Sequence, residues 1–152
     1  MSHVLRLATA LLWGALASAH LNAEPHAGAH RHEHAAPHAG ELIELGEEFA
    51  HVELLRDVAG GRVTAWILDG EAQRGVPIAQ AEVVIAWRTP SGAPLRLVLR
   101  AVENPLSGER VGSTSQFTAT HPQLKRPGAV DGEIERIELK GRAFERIPVR
   151  LD

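Results

Sequence analysis

The chain contains no cysteine among its 152 residues. That excludes disulfides, thiolate nucleophiles and Cys-based zinc sites, and with them the lipidated cysteine that anchors a bacterial lipoprotein. A fold built from this sequence must rest on its apolar core. Aromatic residues are scarce, at three Trp, three Phe and no Tyr. There is no basic patch, and 16 basic residues face 19 acidic ones, so nucleic acid is not an expected partner. Enzyme signatures are missing too: no Gly-rich phosphate loop, no G-x-S-x-G and no H-E-x-x-H. The Ser-rich Gly112-Ser113-Thr114-Ser115 has no evident base beside it, and Glu41, Glu44, Glu47 and Glu48 read as a solvated acidic face. The chain is not expected to be an enzyme, and neither a catalytic residue nor an organic cofactor is expected.

Long hydrophobic runs are also absent. The apolar stretch Leu7–Leu16 is half the length of roughly 20 residues that a spanning helix needs. With Arg6 before it and Ala17 and Ala19 after it, the start of the chain reads as a secretory signal peptide over residues 1–19. The expected setting is periplasmic or secreted, with no membrane span after cleavage near Ala19. Removing those 19 of 152 residues leaves 133, which suits one domain, and the loss of Arg6 moves the formal net charge from −3 to −4.

What remains divides by composition. Residues 20–40 are mostly Ala, His, Pro and Gly, with too little apolar surface to offset chain entropy, and are expected to be disordered. A short repeat lies inside them, Pro25-His26-Ala27-Gly28 and Pro37-His38-Ala39-Gly40. Residues 41–152 carry short alternating apolar runs at His51–Arg56, Arg62–Leu68, Glu82–Trp87, Leu95–Val102, Ser115–Thr120, Glu133–Leu139 and Arg142–Leu151. Period-two alternation broken by turn residues predicts strands. Lys140-Gly141 predicts a tight hairpin, His121–Lys125 one helical turn, and Pro148 an edge strand or a bulge. Glu82–Trp87 reads as a central strand buried on both faces. Trp66 and Trp87 read as core packing. The expected fold is all-β, a single antiparallel immunoglobulin-like β-sandwich of about seven strands.

Chemistry concentrates in the histidines. His26, His30, His32, His34 and His38 fall within thirteen residues, with His20 just upstream. Imidazole is a borderline donor suited to Zn, Cu(II) and Ni(II), and a mature chain without thiol or thioether offers nothing to softer ions. Gly28, Pro37 and Gly40 argue against a stable helix, so these six histidines are expected to act as a flexible chelator that folds around a divalent ion. Cleavage after Ala19 would add the terminal amine of His20 to its imidazole. A solvated linker with incidental histidines is the competing reading. His51 and His121 lie in the folded part, where single histidines are usually surface or structural residues, although either could approach the tract in space.

Three segments carry a resemblance: Gly40-Glu-Leu-Ile-Glu-Leu-Gly46, His51-Val-Glu-Leu-Leu55 and Val63-Thr-Ala-Trp-Ile-Leu-Asp69. With Val76–Val84, Phe117-Thr-Ala-Thr120, Leu124 and the hairpin at Gly141, they resemble a family of small exported bacterial proteins with a His-rich N-terminus and one β-sandwich domain. The pattern is similar to N-terminal segments of periplasmic adaptor subunits of heavy-metal efflux systems. His38-Ala39-Gly40 stands where that family often has His-Gly-Gly, and the His-rich C-terminal tail of some members is missing. The resemblance implies a periplasmic metal-handling role with an envelope efflux or metal-handling protein as partner. The alternative is a non-catalytic β-sandwich interaction module in which the His-rich segment is only a linker.

Overall fold

The computed structural model describes residues 34–89 and 92–151. The expected signal peptide, and the expected ligands His20, His26, His30 and His32, lie outside the described residues. The described residues form eight strands: β1 (Glu41–Leu45), β2 (Ala50–Asp57), β3 (Arg62–Leu68), β4 (Glu82–Arg88), β5 (Pro94–Ala101), β6 (Gln116–Thr120), β7 (Val130–Leu139) and β8 (Arg142–Leu151). Every pairing is antiparallel, in the order β1-β2-β3-β6-β5-β4-β7-β8. The all-β antiparallel expectation holds, with one strand more than expected. The additional strand is β1, whose Leu42-Ile43 pair breaks the alternation that marks the others. Among the described residues no helix is long and apolar enough to cross a membrane.

Alternation builds the core. Val52 and Leu54 of β2, Val63, Ala65 and Ile67 of β3, and Val83 and Ile85 of β4 point inward and are essentially inaccessible. Leu97 and Leu99 of β5, Phe117 of β6, and Ile134, Ile137 and Leu139 of β7 complete the same cluster. At roughly 25 cal/mol per Å² of apolar surface, this burial is the main term holding a cysteine-free domain together. The ladder is short between β5 and β6, pairing only Arg100 with Thr118 and Ala101 with Phe117. At the opposite margin the β1–β2 turn meets β8 through side chains: Phe49 lies 5.8 Å from Phe144, and the Arg142 guanidinium sits over the Phe49 ring at 4.5 Å.

The turns form where their residues demand. β7 and β8 are joined by Lys140 and Gly141 alone, with φ of 49° and 76°, the positive pair of a type I′ hairpin turn. Pro122–Lys125 is a 3-10 turn capped by His121. Pro148 lies on β8, the last strand of the order, where its missing N–H breaks no outward ladder. The β7–β8 ladder also skips Glu135 and Arg146, and Arg146 has a φ of 50°.

Two expectations need correction. β4 is central but not buried on both faces: Val84 and Ala86 are half-exposed because no layer covers that side. Residues 34–40, assigned by composition to the disordered segment, instead lie against the sheet, with a turn closed by Ala39 N–H donating to the Ala36 carbonyl at 3.2 Å. Their own apolar content is small. What holds them is the Glu53 carboxylate of β2 and the Trp66 ring of β3.

Candidate functional site

In β2 the side chains that alternate with Val52 and Leu54 are His51 and Glu53. They face away from the core, opposite Leu68 and Trp66 of β3 on one side and Glu44 and Leu42 of β1 on the other. Such a face is ordinarily wet, yet His51 is 4% exposed and Glu53 is 0% exposed. Residues 34–40 form the cover.

Glu53 is the fastening. One carboxylate oxygen accepts from the backbone N–H of His38 at 2.7 Å and of Gly40 at 2.9 Å. The other accepts from His38 Nδ1 at 2.7 Å. A buried carboxylate is tolerated when its lone pairs are met by donors in this way. The chain must come very close to provide them: a Cβ on Gly40 would sit 2.5 Å from the Leu54 carbonyl oxygen, so only glycine fits. The His38 ring stacks on Trp66, with centroids 3.9 Å apart and planes within 4°. Trp87 is a core residue as expected, whereas Trp66 is half-buried on the outer face and serves as the platform for His38.

The two oxygens that hold His38 and His51 set their tautomers. A carboxylate cannot donate, so His38 carries its proton on Nδ1 and turns Nε2 away from Glu53. His51 Nδ1 faces the Asp69 carbonyl at 3.1 Å, and a carbonyl likewise only accepts. Both rings therefore have the orientation of metal-ligating histidines, with Nδ1–H held from behind by oxygen. His121 is the reverse case. Its Nδ1 accepts from Gln123 N–H at 3.2 Å, so it is a capping residue.

His51 is held by a loop that is itself tied. One carboxylate oxygen of Asp69 accepts from Gln73 N–H at 2.9 Å and Arg74 N–H at 3.3 Å. The Gln73 N–H chiefly, then that of Arg74 and the Arg74 charge, hold the Asp69 carboxyl below its usual range, against the opposing effect of burial. Because the folded value is the lower one, the contribution of Asp69 is complete above the unfolded value near 3.8 and fades as pH falls through the folded value. An NMR titration of the Asp69 carboxyl is expected to show a midpoint below 3.8. A midpoint at or above that value would show the loop bonds to be absent in solution.

The last member is His34. Its ring lies edge-on to His51, with centroids 5.1 Å apart and planes at 70°. Of the six expected ligands, the structure thus places His34 and His38 on one sheet face, next to His51, Glu53 and Trp66. Among the described residues, no three His, Asp or Glu side chains come close enough together to hold an ion. Glu41, Glu44, Glu47 and Glu48 are exposed, as a solvated face should be.

A second concave region, of about 940 Å³, is floored by Ala86, Gly132 and Pro148. Its surroundings carry both charge signs, including the Arg96–Glu135 pair at 2.6 Å and the Arg150–Asp131 pair at 3.2 Å. Arg96 holds the Glu135 carboxyl low, first through their hydrogen bond. These are exposed surface pairs, which contribute little to stability. No histidine lines this groove. Compared with known protein families, curated proteins and solved structures, the chain matches none.

Proposed function

We propose that this is an exported periplasmic protein that captures divalent transition ions, Zn, Cu(II) or Ni(II), through its His-rich N-terminal segment. The β-domain anchors the end of that segment and presents it to an envelope efflux or metal-handling partner. The observation that carries this reading is the fastening of His38: Glu53 behind Nδ1 and Trp66 beneath the ring tie the segment to the fold in a ligand-ready orientation. The donor set fits the ion class, because imidazole and carboxylate are the side-chain donors present and no thiol competes.

Calorimetric titration of the chain beginning at His20 with Zn(II) is expected to show fewer ions bound by a variant lacking residues 20–33. Such a variant keeps the His38 fastening and so tests the segment separately from the fold. Uptake should also weaken as pH drops from 7 to about 5, since protons compete for the same imidazole nitrogens. Equal uptake by both chains would remove residues 20–33 as the site.

One observation favours a second reading. Glu53, Gly40 and Trp66 hold His38 through contacts that need no ion. The segment would then be a tether and the domain a non-catalytic interaction module of the envelope. Partner capture that is indifferent both to chelator and to His→Ala changes at positions 26, 30, 32 and 34 would support it.

A further inference from the structure

We infer that His51 and His34 are paired ligands of one divalent-ion site on the outer face of β2. The inference rests on the metal-capture reading above and adds to it a ligand supplied by the folded domain itself.

The first ground is distance. A Zn–N bond is about 2.0–2.1 Å, and an imidazole centroid lies roughly 1.1 Å behind its nitrogen. Two rings sharing one tetrahedral ion must therefore have centroids about 5 Å apart. The observed separation is 5.1 Å, with the planes splayed by 70°. The second ground is direction. The Asp69 carbonyl takes the Nδ1 proton of His51, which leaves Nε2 as the coordinating atom. The third ground is rigidity. His51 sits mid-sheet, paired with Glu44 and Leu68, and Asp69 is pinned by the N–H groups of Gln73 and Arg74. His34 is brought to it by His38, four residues along the chain, which Glu53 fastens to the sheet. A ligand on a strand loses little freedom on binding, whereas each ligand in a flexible segment must be ordered at a cost. The pair would thus take the first ion, with water in the remaining positions.

The test uses the chain from His20, titrated with Zn(II) by calorimetry and with Co(II) by visible absorption. His34→Ala and His51→Gln are each expected to weaken the tightest event by about 10–100-fold and to reduce the tetrahedral Co(II) bands. The double variant should do little more than either single one, because both remove the same site. His121→Ala should leave ion uptake unchanged. Imidazole ¹⁵N spectra of the unaltered protein give a readout that misfolding of a variant cannot mimic: on Zn(II) addition His51 Nε2 should move to a metal-bound shift while Nδ1 stays protonated. If that nitrogen does not move and both variants, still folded, bind as before, His34 and His51 are a ring pair only and the inference is overturned. If uptake then disappears on replacing His26, His30 and His32, the metal-capture reading survives without it. If the unaltered protein takes up no ion, both fall together.

Discussion

Glu53→Ala is expected to destabilise the domain by about 2–4 kcal/mol and to release residues 34–40 from the sheet. The carboxylate is fully buried and meets the N–H groups of His38 and Gly40 and the Nδ1–H of His38. Truncation leaves those donors facing an empty space lined by the β2 backbone and Trp66. Release then exposes the indole that His38 now covers at 3.9 Å. Urea denaturation measures the loss, and a new protease cut within 34–40 reports the release. A variant within 0.5 kcal/mol of the parent (roughly a surface-type effect) and equally resistant to protease would show that the fastening contributes nothing. Glu53→Gln separates charge from shape. Its carbonyl can keep both backbone N–H groups, but its amide must donate to His38 Nδ1 and so force the ring into the opposite tautomer. That variant should lose less stability while moving the His38 proton to Nε2, the nitrogen the metal reading requires to be free.

Phe117→Ala is expected to cost about 3–5 kcal/mol, the largest single loss among the core positions. Phe117 is among the largest fully buried side chains. It sits on a five-residue strand that pairs Ala65 of β3 on one side and Ala101 of β5 on the other. Both neighbours are alanines, so little side-chain volume stands near enough to fill the space the ring would leave. The position is also a structural joint, since β6 alone links the strands β1-β2-β3 to the strands β5-β4-β7-β8 in the sheet order. A cavity there loosens the joint as well as the core. Thermal and urea unfolding measure the effect. A cost below 1 kcal/mol (less than a single Ile→Val truncation often brings) would mean the two sets of strands are held mainly at the β1–β8 margin.

Much of the fold was legible because it is written locally. The strands from β2 to β8 follow the runs of alternating residues, and their ends fall within three residues of the ends of those runs. Lys140-Gly141 and His121–Lys125 were legible for the same reason: a positive-φ pair and a Pro-led turn depend on the residues inside them. β1 was not legible because Leu42 and Ile43 both lie half-covered at a sheet edge and do not alternate.

The site was legible only in its donors. Composition identified the histidines and the class of ion they suit, because those follow from residue type. It could not show that His51 and Glu53 would be dry, that Trp66 would leave the core, or that residues 34–40 would be ordered. On a strand, alternation says which residues share a face, but not what lies over that face. The answer depends on Glu53 meeting His38 fifteen residues earlier and on His51 meeting a loop eighteen residues later. Alternation, turn chemistry and imidazole content are properties of neighbouring residues, and the sequence decides them alone. Which polar face is covered, and which histidines are held at Nδ1 by oxygen, is settled when distant segments fold together and a buried carboxylate has to find its donors.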